Sequence, residues 1–84
     1  MQSYAVYINQ AALASAPRTG HQHQLVMQFV RSLAVNPFVA GDFSEQDDAQ
    51  RVVQVKVVGR FAITFWADHA AAEVKVTHIK LADK

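Results

Sequence analysis

Residues 52–67 read VVQVKVVGRFAITFWA, and their period of two decides the fold. Successive side chains alternate across a strand, so over 52–58 Val53, Val55 and Val57 share one face and Val52, Gln54, Lys56 and Val58 the other. Gly59-Arg60 is a tight-turn signal. The alternation resumes over 61–67, with Phe61, Ile63, Phe65 and Ala67 against Ala62, Thr64 and Trp66. Two such runs joined by a two-residue turn predict an antiparallel hairpin. Residues 68–72 predict the next turn and 73–81 a further strand, whose apolar phase slips from Val74 and Val76 to Ile79 and Leu81. A β-bulge near Thr77-His78 returns both sets to the core side. The alternative is a sheet covered on both faces at that end.

Upstream, Tyr4-Ala5-Val6-Tyr7-Ile8 predicts a short first strand, and 9–16 a short helix with Asn9 as N-cap. Pro17-Arg18-Thr19-Gly20 breaks the chain before the strongest helix, 21–35. There Leu25, Val26, Phe29, Val30 and Leu33 form one apolar stripe, Thr19 stands at the cap, and Pro37 ends the element. Residues 36–50 read as an acidic, polar loop bent at Gly41. The expected fold class is α+β in a single domain over 1–84. It has a small antiparallel or mixed sheet of about four strands, with a helical hairpin or a single long helix packed on one face.

The chain has 84 residues and 9.3 kDa, a size at which stability is thin. With 51% hydrophobic and 18% charged residues it is no disordered chain, and the absence of cysteine excludes disulfides and thiol chemistry. No apolar run approaches a membrane span, and MQSYAVYINQ lacks the basic and apolar regions of a signal peptide, so a cytoplasmic protein is expected. The net charge of +1 hides a split. Residues 1–50 carry two arginines against four carboxylates, whereas 51–84 carry six Lys/Arg against three.

His21 and His23, two apart on a helix, point about 200° apart and cannot share an ion. His69 and His78 fall in a turn and at the expected bulge, and no metal or cofactor is implied. Asp42, Glu45, Asp47 and Asp48 lack calcium-loop spacing, and no phosphate loop or nucleophile elbow occurs. The basic residues Arg51, Lys56, Arg60, Lys75, Lys80 and Lys84 lie on three adjacent strands and their ends. Converging on one sheet surface they would attract phosphates or an acidic peptide; dispersed, they are the solvent face of a half-buried sheet. A bulge between Lys75 and Lys80 would bring those two to one side. Trp66 reads first as a core residue and otherwise as a stacking platform for a base or a peptide side chain.

The runs Leu33-Ala34-Val35-Asn36-Pro37-Phe38, Gly41-Asp42-Phe43-Ser44-Glu45, Gln54 to Gly59, Phe61 to Asp68 and Glu73-Val74-Lys75-Val76 ending in Ile79 follow one another in a telling order. In order and spacing they resemble the RelE/ParE superfamily of toxins from type II toxin–antitoxin systems. The resemblance implies a helical hairpin on one face of a small mixed sheet, with the first strand beside the meander. It also implies a bacterial, cytoplasmic growth inhibitor neutralised by a cognate antitoxin. Two actions follow from it, ribosome-dependent mRNA cleavage without a metal, or poisoning of DNA gyrase.

Family ribonucleases commonly carry an arginine after the first aromatic of the hairpin strand, where this chain has Ala62. They often continue past the last strand with a basic or tyrosine-bearing tail, where this chain reads Ala82-Asp83-Lys84. Arg51, Lys56, Arg60 and Lys80 remain as candidate catalytic cations, since charge developing on phosphorus needs cationic neighbours. Arg51, Lys56, Arg60, Trp66, Lys75, Lys80 and Lys84 are the candidate RNA- or partner-binding set. The alternative function is a non-catalytic interaction domain, or a non-toxic family member that only binds a protein.

Overall fold

The computed structural model describes residues 3–82. Seven elements follow in order: β1 (Ala5–Ile8), α1 (Gln10–Ser15), α2 (Gly20–Ser32), β2 (Phe43–Gln46), β3 (Val52–Val58), β4 (Phe61–Asp68) and β5 (Glu73–Leu81). The sheet order is β1-β5-β4-β3-β2, with β1 parallel to β5 and every other pair antiparallel. This is an α+β fold on a five-stranded mixed sheet. The chain leaves one edge at β1, crosses the sheet through both helices, and re-enters at the opposite edge as β2.

The expected count of about four strands is corrected by β2, which lies within the span read as a loop. Its four residues are all exposed, so no alternation marks it. Contacts with β3 hold it in place instead. The Asp42 amide donates to the Val55 carbonyl at 2.8 Å, and the Gly41 amide donates to Gln54 Oε1 at 2.9 Å. Gly41 packs so closely that a Cβ there would come within 2.5 Å of the Val55 oxygen.

Asn9 caps α1 as expected, its Oδ1 accepting the Ala11 amide at 2.7 Å. Thr19 occupies the cap position of α2 but makes no side-chain cap bond. That helix ends at Ser32 rather than 35. Leu33, Ala34 and Val35 tighten into bonds three residues back, a common way for a helix to finish. The Ala34 carbonyl then accepts the Tyr4 amide at 2.8 Å, tying the start of the chain to the end of α2.

Phase decides what is buried. Val26, Val30 and Leu33 of the helical layer meet Ile63 and Phe65 of β4 and Val74, Val76 and Ile79 of β5, with Ala12 and Ala16 closing the α1 side. The expected bulge is present: Thr64 pairs with His78 but Phe65 pairs with Val76, so Thr77 is the extra residue. The β3–β4 hairpin also forms as expected, Gly59 supplying the positive φ of its turn.

Two outcomes follow from this packing. Phe65, only 1% exposed, should cost about 3–5 kcal/mol when replaced by alanine. That is a large share of the roughly 4–13 kcal/mol expected of a chain this long. Urea denaturation measures it, and a loss below about 1 kcal/mol would contradict the packing described. Gly41→Ala should act locally, raising amide exchange over 43–46 while β4 stays protected. Unchanged exchange in β2 would show that Gly41 does not hold the edge.

Candidate functional site

Both helices cover one face of the sheet, and the other carries the candidate site. Register assigns each side chain. On the face without helices, Tyr7, Lys75 and Trp66 form a row across β1, β5 and β4. Thr64 with His78, and Ala62 with Lys80, form two further rows. Val53, Val55 and Val57 of β3 continue this face, with Phe43 and Glu45 of β2 at its edge. Val53, Val55, Ala62 and Thr64 are buried even though no helix lies over them. They form a floor of small residues beneath longer side chains.

The Arg51 guanidinium lies 4.0 Å from the centre of the Trp66 ring, and Lys75 Nζ lies 5.3 Å from it. Both cations sit within reach of the indole quadrupole. Each also has a carboxylate partner. Arg51 Nε donates to Asp47 Oδ2 at 2.9 Å, and Lys75 Nζ lies 3.5 Å from Glu73. Asp47 Oδ1 accepts the amides of Ala49 and Arg51 as well, so the turn between β2 and β3 is built around the residue that orients Arg51. Among the described residues, no carboxylate lies within ion-pair distance of Lys80.

The basic candidates therefore do not all converge. Arg51, Lys75 and Lys80 reach the open face, and the Thr77 bulge is what brings the two lysines to one side. Lys56 pairs in register with Ile63 and so belongs to the helix-covered face, where it meets Asp42 at 3.5 Å. Arg60 sits in the hairpin turn, its amide donating to Gln22 Oε1. Lys84 lies outside the described residues. The reading of Trp66 as core is corrected: it is half-buried on the open face, outside the main cluster.

The charge split along the chain is not a split in space. Glu45, Asp47 and Asp48 line a shallow trough of about 220 Å³ together with Thr64, His78 and Lys80. The open face is thus mixed in charge, with carboxylates along its β2 side. At Ala62, where the resemblance calls for an arginine, the register partner on the same face is Lys80. Directly opposed residues in an antiparallel pair have Cβ atoms roughly 5 Å apart, so a cation does stand beside that position. Tyr7 and Asp47 join the site without having been among the expected site residues. The Asp-x-x-x-Arg spacing was a signal for Asp47, whereas nothing local to β1 indicates which way Tyr7 faces.

Of the histidines, His23 Nδ1 lies 3.0 Å from the Pro17 carbonyl and His69 Nδ1 lies 2.9 Å from the Tyr4 hydroxyl. His78 Nδ1 is 3.1 Å from Thr77 Oγ1 on the open face, and His21 is exposed. No helix among the described residues is long and apolar enough to cross a membrane. No protein-family model, curated protein or solved structure matches the chain.

Two carboxyls titrate below the ordinary Asp value of 3.8. Asp42 is lowered chiefly by the Val57 amide, at 2.7 Å, against the opposing effect of desolvation, and Lys56 lowers it further. Asp47 is lowered first by the Arg51 amide, then by the Arg51 side chain and the Ala49 amide, again against desolvation. A depressed folded-state value means the unfolded chain binds protons more readily in acid. The contribution is complete above the unfolded value, fades as pH drops past it, and is gone below the folded value. Urea midpoints measured from pH 6 to pH 2.5 should therefore fall in that acid window. The fall should be shallower in Asp42→Asn and in Asp47→Asn. Equal slopes in wild type and both variants would show that neither carboxylate is held by these contacts.

Proposed function

We propose that this chain is the toxin component of a bacterial type II toxin–antitoxin system, of the RelE/ParE kind, acting in the cytoplasm and neutralised by a cognate antitoxin protein. The observation that carries the reading is topological. A first strand lies parallel beside the last strand of an antiparallel meander, and two helices between them cover a single face. That is the arrangement the motif order implies, and it leaves the opposite sheet face open. On this reading the open face engages the target, which is either mRNA in the ribosome or DNA gyrase. Lys80 and Arg51 supply charge for a phosphate or a carboxylate, and Trp66 supplies a flat apolar surface.

A specific observation favours a second reading, a non-catalytic member that only binds a protein. Arg51 and Lys75 already have Asp47 and Glu73 as partners, and Ala62 stands where the ribonucleases carry an arginine. A phosphate would have to compete with those carboxylates. The choice between mRNA and gyrase rests on the cell, not on the fold.

Induced expression without the neighbouring genes should arrest growth, and co-expression of an adjacent short reading frame that encodes a partner should relieve it. Mapping of mRNA 5′ ends at the ribosome and a gyrase supercoiling assay then separate the two targets. Lys80→Ala combined with Trp66→Ala should abolish the arrest, while Lys56→Gln, on the opposite face, should leave it intact. Growth unaffected by the wild-type chain would remove the toxin reading and leave the binding module.

A further inference from the structure

Trp66 stands on the open face with no helix above it, yet it is half-buried. Its cover includes Arg51, whose guanidinium lies 4.0 Å from the ring centre. The turn that precedes Arg51 holds it there, and the Asp47 carboxylate is the hub of that turn. Oδ1 accepts the Ala49 and Arg51 amides and Oδ2 accepts Arg51 Nε, each at 2.9 Å. Two backbone bonds close the same turn, one from the Asp47 amide to the Arg51 carbonyl and one from the Gln50 amide to the Asp47 carbonyl. Gln50 sits at a φ of 65°, a left-handed conformation that costs free energy in any residue with a side chain. The bonds centred on Asp47 are what hold it there. Beside the indole lies a hollow of about 300 Å³ that Tyr7, Lys75 and Thr77 also line, so there is free space next to the ring.

We propose that Asp47 is an internal ligand of the open face, occupying Arg51 in place of an external oxyanion and so keeping the guanidinium as a roof on Trp66. Asp47 grips the guanidinium at a single point, Nε, because its other oxygen is spent on the turn amides. An oxyanion from outside can take the same fork through two parallel bonds, which is the stronger geometry. Exchange draws Arg51 off the ring and frees the indole face for stacking. The consequence is a two-part requirement. An oxyanion alone gains only the difference between two similar ion pairs, and a flat group alone finds the indole covered. A ligand that carries both is favoured. Asp47 is thus a positioning residue that acts through Arg51, and it lowers the affinity for simple anions. Lys75 stays outside the exchange, since its Nζ lies 5.3 Å from the ring and pairs with Glu73 on its own strand. The inference rests on the open face being the side that engages a target. Its test needs no target, so failure of the exchange and failure of the toxin reading are told apart.

Trp66 is the sole tryptophan, so its emission and its indole N–H signal report on this site alone. Asp47→Asn separates the ion pair from the turn, because the amide oxygen still accepts the Ala49 and Arg51 amides while the charge facing Arg51 Nε is gone. Acrylamide quenching of Trp66 should rise by roughly twofold in Arg51→Ala, which removes the roof, and by nearly as much in Asp47→Asn. Inorganic phosphate and acetate are then titrated at constant ionic strength, followed by the Trp66 and Arg51 N–H signals. The tighter of the two identifies the source of the oxyanion. It should bind Asp47→Asn at least about tenfold more tightly than wild type, since its internal competitor is gone, and should leave Arg51→Ala unmoved. A purely structural Asp47 predicts the reverse, an affinity that falls with the charge. Protected amides in β4 check that each variant folds. Three results overturn the proposal: quenching in Asp47→Asn equal to wild type, anion binding in that variant no tighter than in wild type, or a response that persists in Arg51→Ala.

Discussion

One extra residue in β5 sets the faces of the whole sheet. Without Thr77 as a bulge, strict alternation would put Ile79 on the same side as Lys75, and Lys80 on the same side as Val76. Exposing Ile79 would forfeit roughly 1.5–3 kcal/mol of burial, and turning a lysine into the core would cost more than that. A domain of this length has few such units to lose. The bulge removes the conflict at the cost of one irregular pairing. It also delivers both lysines of β5 to the open face, so the core and the candidate site are solved by the same residue.

The second constraint is the route of the chain. Because β1 and β2 occupy opposite edges, the two helices must bridge the full width of the sheet, and that is why they cover one face only. The far end of the crossing is secured by Gly41 and Asp42. The glycine allows backbone to lie against backbone at Val55, and Asp42 accepts the Val57 amide while meeting Lys56. Lys56 is thereby committed to holding an edge strand on the helix-covered side. Its basicity in the sequence gave no hint of that, because strand parity separates it from Arg51 and Lys80.

Much of this was legible in the residues. The period of two over 52–67 and the slip between Val76 and Ile79 gave the hairpin and the bulge, because burial on one face leaves a clear alternation. Asn9 announced α1 through its capping oxygen. What was not legible depends on distant contacts. Phe43–Gln46 is exposed on both sides and forms a strand only through β3, so it carries no pattern of its own. Trp66 shares a face with Ala62 and Thr64, and alternation cannot say which of two faces the helices cover. The charge split along the chain does not survive folding for a related reason, since the acidic segment folds back as β2 and its following turn against the basic strand β3.

That pairing alters what the open face can recognise. Three cations on one face would suit a polyanion, whose binding grows with every phosphate neutralised. Here Asp47 fixes Arg51 over Trp66 through its turn, and Glu73 stands beside Lys75, so two of the three cations are already engaged. A ligand gains little bulk electrostatic attraction from such a surface. What it meets is a positioned guanidinium on an indole, with a lysine opposite Ala62 as the cation lacking a carboxylate partner among the described residues. Preorganised groups of this kind favour a ligand whose one or two anionic groups match their geometry over one that merely carries charge. The open face is therefore shaped for selective contact at a few points, while the two helices behind it carry no carboxylate of their own.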